Sequence, residues 1–229
     1  MERKVTSQML HPEESSNRNG SILLAQALLQ QLHGTESFFN KGTLKTARVL
    51  ELGSGTGLLG LVLAPWAGHH TCTDLPDLIP LIRKNITINS NLLSHCPDRL
   101  SYEPLDWNDV YNCSPAARER MFLKHLPTGS SSGSNNEDQI SGFDLILAVD
   151  CVYNPSLIPP LLTTIDLYAI PGRTVVLVVM ELRDEDVVRE FLTQWTSMSQ
   201  WEITSVGNDG RPSFLDERFA IWMGLKSIV

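Results

Sequence analysis

Val49-Leu50-Glu51-Leu52-Gly53-Ser54-Gly55-Thr56-Gly57-Leu58-Leu59-Gly60 is an apolar run that breaks into alternating glycines and then resumes with helix-forming residues. The pattern predicts a strand, a tight turn and the start of a helix. Glycine at positions 53, 55 and 57 admits positive φ and removes the Cβ atom. A ligand can then lie directly on backbone amides where the helix dipole begins. A nucleotide-like ligand is expected there.

Gly55-Thr56-Gly57-Leu58-Leu59-Gly60 also satisfies the G-x-G-x-x-G of a dinucleotide site, and a purely structural glycine turn is the plainer alternative. Glu51 ahead of the loop, the Gly-x-Gly-x-Gly spacing, and Asp74 ending the next apolar run point elsewhere. Together they look like the S-adenosylmethionine site of the seven-strand methyltransferases.

Outward from this loop, strands are expected at 47–52, 70–74, 100–105, 143–149, 174–180, 201–206 and 219–225. Helices are expected at 22–32, 58–64, 78–88, 156–169 and 183–195, the fourth and fifth following Asn154-Pro155 and an acidic opening. The alternation predicts an α/β protein with a Rossmann-like, mostly parallel twisted sheet and helices on both faces. The last strand is expected to be antiparallel, because the connection before it carries no helical pattern. Ligands of open parallel sheets bind at the carboxyl ends of the strands. Asp74 is therefore placed to accept from ribose hydroxyls, and Trp107 to wall an adenine ring. The plainer alternatives are a surface-turn Asp and a core Trp.

Residues 1–19 are polar and aperiodic and read as a loose arm, with a single domain over 20–229. Within that domain 127–141 holds Ser, Gly, Asn and acidic residues with no apolar residue before Ile140, the composition of a disordered insertion. The 229 residues fit one α/β domain, and 42% hydrophobic with 19% charged residues is ordinary globular composition. The formal charge of −8 and pI near 5.2 repel phosphate backbones and favour a basic protein partner over nucleic acid. Four cysteines without a C-x-x-C pair suit a reducing compartment. No apolar run approaches a membrane span, so a cytoplasmic, also nuclear, monomer is expected.

At Tyr153 enough motifs have accumulated to name a family. The glycine loop, Thr73-Asp74, Asp106-Trp107 and Asp144-Leu145-Ile146-Leu147-Ala148-Val149-Asp150-Cys151-Val152-Tyr153 stand in an order and spacing that can be compared as a set. They resemble the seven-strand S-adenosylmethionine-dependent protein-lysine methyltransferases with an Asp-x-x-Tyr motif after the fourth strand. The likeness runs from about 49 to 182. The run Asp77-Leu78-Ile79-Pro80-Leu81-Ile82-Arg83-Lys84-Asn85-Ile86 is most similar to fungal members that modify translation elongation factor 1A.

The resemblance implies cofactor contacts at Gly53, Ser54, Gly55, Asp74, Trp107 and Val149. It implies a catalytic pair, Asp150 and Tyr153, facing the target lysine of a protein such as elongation factor 1A. Leu23 stands where the family has a Trp in a Gly-x-x-Trp-x-Ala context. In this reading Asp150 anchors the incoming ammonium and Tyr153 offers its ring face to a methylammonium product. The plainer alternative makes Asp150 a cap of the following helix. Other functions in view are a catalytically silent binding protein and a methyltransferase acting on arginine, histidine or a small molecule.

Overall fold

The computed structural model describes residues 20–33, 41–125, 142–207 and 218–228. The expected arm 1–19 and the whole expected insertion 127–141 lie outside these residues, as does the side chain of Leu23.

The apolar runs form seven strands: β1 (Arg48–Leu52), β2 (His69–Asp74), β3 (Leu100–Pro104), β4 (Leu145–Val149), β5 (Val175–Glu181), β6 (Trp201–Val206) and β7 (Phe219–Lys226). They make one sheet in the order β3-β2-β1-β4-β5-β7-β6. β1 to β5 pair in parallel, whereas β7 runs antiparallel to both β5 and β6. The order reverses at β1, where β2 lies on one side and β4 on the other, so the crevice of this sheet opens above β1 and β4.

The helices are α1 (Gly20–His33), α2 (Lys41–Leu44), α3 (Leu58–Leu63), α4 (Ile79–Ile88), α5 (Trp107–Asn112), α6 (Pro115–His125), α7 (Ile158–Tyr168) and α8 (Glu185–Ser197). Strand alternation sorts the core into two layers. Val49, Leu147 and Val149 pack with Leu24, Leu28 and Leu59 from α1 and α3. Leu50, Leu52, Ile146 and Ala148 pack with Ile158, Leu161, Phe191 and Trp195 from α7 and α8. Each strand of the sheet centre is covered on both faces, which is why its sequence reads as a continuous apolar run.

Local chemistry fixes the helix starts. Asp184 accepts from the Asp186 and Val187 amides at 2.9 and 3.3 Å and so caps α8. Asp106 does the same for α5, accepting from Asn108 N at 2.8 Å. Gly57, at φ 75°, leads into α3, and a Cβ there would come within 3.0 Å of Ile82 on α4. No other residue suits both the conformation and the approach.

α4 buries little of its apolar side. Only Ile82 of that helix is buried, whereas Leu75, Leu78 and Leu81 are exposed. Two helices, α5 and α6, fill the stretch after Trp107 that had been given no element. α6 has few apolar residues at helical spacing, so periodicity gives it no signal.

Candidate active site

A cavity of about 310 Å³ opens at the carboxyl edge of the sheet. Gly53, Ser54, Gly55, Asp74, Trp107, Val149, Asp150 and Tyr153 all line it, together with Ser21, Thr56, Leu75, Leu78, Leu105, Asp106, Asn108, Cys151 and Leu157. Thus the eight residues that the resemblance implies for cofactor and acceptor meet in one space. Three parallel strands deliver them: β1 ends in the glycine loop, β2 in Asp74 and β4 in Val149-Asp150.

The glycine loop contributes room more than hydrogen-bond donors, which corrects the expectation of free amides. Gly53 N and Ser54 N donate to the Thr73 carbonyl at 3.0 and 2.9 Å, and Gly57 N to Ser54 O at 2.9 Å. Gly55 N donates to Asp74 Oδ2 at 2.7 Å. The Ser54 hydroxyl is turned inward, accepting from Thr73 N at 3.0 Å and donating to the Glu51 carbonyl at 3.4 Å. A Cβ at Gly55 would meet nothing within 4 Å, so the loop backbone faces open space there. At Gly53 the same atom would sit 3.1 Å from Cys151 Cβ and 3.3 Å from the Trp107 ring, so that ring closes down on the loop.

Asp74 is 8% exposed, and its other oxygen, Oδ1, accepts from Leu75 N at 2.8 Å. The carboxylate both braces the loop and borders the cavity. It is no surface-turn residue. Trp107 begins α5 and packs partly buried against the core cluster, with one side left to the cavity.

Glu51 is absent from the cavity wall. It is 2% exposed and its Oε2 lies 2.9 Å from His70 Nε2, while the Cys72 thiol donates to the same oxygen at 3.6 Å. Burial pushes the Cys72 thiol well up, and the Glu51 charge adds to this, so the thiol stays protonated. The three ligand atoms lie within 4.8 Å of one another, but a Cβ at Gly60 would already crowd Cys72 Sγ at 2.4 Å. The cluster reads as packed core. His70 Nδ1 has no partner there, so removing Glu51 would strip the ring of its one hydrogen bond. Glu51→Ala is expected to cost about 2 to 3 kcal/mol. At roughly 2 to 4 °C per kcal/mol for a chain of this size, melting should fall several degrees. An unchanged melting temperature would mean the buried pair contributes nothing.

Asp150 has a φ of 52°, the one positive value outside glycine among the described residues. Asp tolerates this left-handed region better than most side chains, and such strain is characteristic of functional turns. Asp150 N donates to Val179 O at 2.8 Å, tying the turn to β5. The cap of the next turn is Asn154, which accepts from Ser156 N at 3.0 Å and starts the 3₁₀ turn that leads into α7. Asp150 Oδ2 is instead 3.0 Å from Arg183 Nη2, a residue the sequence reading did not single out. Arg183 also pairs with Glu181. The signal was present, because Glu181-Leu182-Arg183 leaves the strand beside β4 at the same edge. Tyr153 is 71% exposed at the cavity rim. Burial pushes the Cys151 thiol up to about 12, so this cavity residue is a neutral packing group and no nucleophile.

A doubly covered parallel sheet with a glycine turn after β1, an acidic end to β2 and a cavity above them defines a Rossmann-like nucleotide-cofactor domain. The chain aligns with the magnesium protoporphyrin IX methyltransferase ChlM of Synechocystis PCC 6803 at a TM-score of 0.51. That likeness has 10% identity and covers 91% of this chain and 83% of the other, and it identifies the methyltransferase fold. The lysine methyltransferase family model matches residues 18–121 and 133–198, and the chain belongs to that family. Bovine protein-lysine methyltransferase METTL21E is 29% identical over 75% of this chain and 51% of its own length. EEF1A lysine methyltransferase 3 of Xenopus tropicalis is 26% identical over 64% of this chain and 52% of its own. The chain thus spans about half the length of these two curated relatives.

Proposed function

We propose that this chain is an S-adenosylmethionine-dependent protein-lysine N-methyltransferase whose target lysine lies on a folded protein, with elongation factor 1A the first candidate. The observation that carries the proposal is the single cavity shared by the glycine loop, Asp74, Trp107 and the Asp150-to-Tyr153 turn, in a chain of the lysine methyltransferase family. Its volume falls within the range of about 300 to 1,000 Å³ of small-molecule sites. The named target of the Xenopus relative supports the choice of elongation factor.

The residues suit the cofactor. Asp74 offers its carboxylate to ribose hydroxyls, Trp107 gives an aromatic face for adenine, and the bare loop at Gly55 admits a ligand at backbone distance. When bound, S-adenosylmethionine supplies a methyl group on an electrophilic sulfonium. Val149, at the end of β4, closes the wall beside Asp150. Asp150 and Tyr153 orient the acceptor at the rim, and alignment of the reacting groups supplies about 7 to 11 kcal/mol in well-organised cases. Water takes the proton, since the cavity's buried thiol is held neutral. The excess of acidic residues at this edge, Asp150, Glu181, Asp184, Glu185 and Asp186, suits a lysine in basic surroundings. A reducing, cytoplasmic setting fits the four free thiols.

The Arg183 contact favours a second reading, a catalytically silent binding protein, because a cation already sits on Asp150. Calorimetric titration with S-adenosylmethionine separates the two. The enzyme binds one equivalent per chain, whereas absence of heat and of thermal stabilisation would favour the silent scaffold. Asp74→Ala removes the ribose acceptor and releases the Gly55 amide. It should weaken the cofactor by about 2 kcal/mol, roughly thirtyfold in affinity. Unchanged affinity in that titration would place the ribose elsewhere.

A further inference from the structure

A second cavity, of about 110 Å³, adjoins the first and shares Asp150 and Tyr153 with it. Glu181, Arg183, Asp184 and Val187 complete most of its wall. Among the charged groups around it, Asp184 is engaged as the α8 cap. Glu185 and Asp186, in the first turn of α8, pair with Arg189. Arg218 holds the loop through its carbonyl, which accepts from Leu182 N at 2.7 Å. Asp74, in the larger cavity, accepts from two backbone amides. Asp150 and Glu181 share a guanidinium, that of Arg183, which pairs with both.

This arrangement bears on a requirement of amine methylation. The lysine nitrogen gives its lone pair to the methyl carbon, the carbon–sulfur pair stays with sulfur, and the proton leaves nitrogen for water. An ammonium has no lone pair to give. Negative charge of carboxylates beside the acceptor stabilises the ammonium and holds the lysine pKa up. A guanidinium between them cancels that field and itself never deprotonates.

Resting on the lysine reading above, we propose that Arg183 is a positioning residue that neutralises Asp150 and Glu181 at the acceptor mouth, so that the target lysine reacts as its free amine. The loop that carries it, between β5 and α8, thereby sets the pH range of the reaction.

The test compares wild type, Arg183→Gln and Arg183→Lys, with bacterially produced elongation factor 1A as acceptor and total cell extract as a second. In Arg183→Gln the rising, acid-side limb of kcat against pH should move up by about one unit. That is roughly a tenfold loss of kcat below the limb, converging with wild type above it. Arg183→Lys, still cationic, should track wild type. Affinity for S-adenosylmethionine should be unchanged. Affinity for elongation factor 1A, measured with S-adenosylhomocysteine present, should hold or tighten.

A kcat loss equal at every pH, failure of lysine to rescue, or lost acceptor binding would overturn the inference. Should Arg183→Gln melt early, Glu181→Gln tests the same field from the other side. It should move the limb down, and an unmoved limb would count against the proposal. A wild type that methylates lysine in neither acceptor would overturn the lysine reading, and this inference with it.

Discussion

Gly55→Arg is expected to abolish binding of S-adenosylmethionine and to leave the domain folded. Gly55 sits at φ 56°, where a Cβ would meet nothing within 4 Å, so the new side chain has room and the loop need not rearrange. The left-handed conformation costs a non-glycine residue about 1 to 2 kcal/mol, against a typical stability of about 5 to 15 kcal/mol. A long side chain rising from the loop then takes the space a ligand would fill. Gly53 is the poorer place for this test, because a Cβ there would press on Cys151 and the Trp107 ring and disturb packing as well. Calorimetry beside a melting curve checks the prediction. Micromolar binding retained in a folded variant would remove the glycine loop from the site.

Asp150→Asn is expected to keep the fold and the cofactor affinity and to lose most methyl transfer. Asparagine tolerates the left-handed φ of 52° and keeps the backbone bond to Val179, so the turn survives. What disappears is the charge that holds Arg183 and orients the acceptor. Small misplacements at a reacting centre cost about a hundredfold in rate. The loss should appear at every pH, together with the downward move of the limb expected for Glu181→Gln, in contrast with the loss confined to low pH expected for Arg183→Gln. Single-turnover methylation beside isothermal titration separates the roles. Normal transfer would make Asp150 a purely structural residue, and lost cofactor affinity would move it into the cofactor's own site.

The strands were legible because the sheet is buried on both faces. Leu145 to Val149 and Val175 to Met180 are almost unbroken apolar runs, and the side of each strand hardly matters to that signal. The antiparallel β7 was legible from its missing crossover helix. Its insertion between β5 and β6 was not, since nothing local to the chain encodes which neighbour a strand takes. α5 and α6 were missed for a physical reason: they lie at the rim, half exposed, and carry little apolar periodicity. α4 shows the opposite, for its Leu81 and Ile88 have helical spacing yet stay exposed.

For the site, Asp74 and Trp107 came through from strand ends, because the parallel strands end at the same edge, whereas Ser54, Val149 and Tyr153 came through only from the family resemblance. Partnership did not come through. That Glu51 belongs to His70, that the loop amides are already engaged, and that Asp150 holds Arg183 are facts of register between strands. Such pairings become readable only once β1, β2, β4 and β5 are laid side by side.

The most direct measurement incubates wild-type protein with trideuteromethyl S-adenosylmethionine and bacterially produced elongation factor 1A or total cell extract. The labelled protein is then hydrolysed to amino acids and examined by mass spectrometry. The expected result is label on the Nζ nitrogen of lysine, lost in Gly55→Arg. Label on arginine, histidine or a small molecule, or no label from a protein that binds the cofactor, would contradict a protein-lysine methyltransferase.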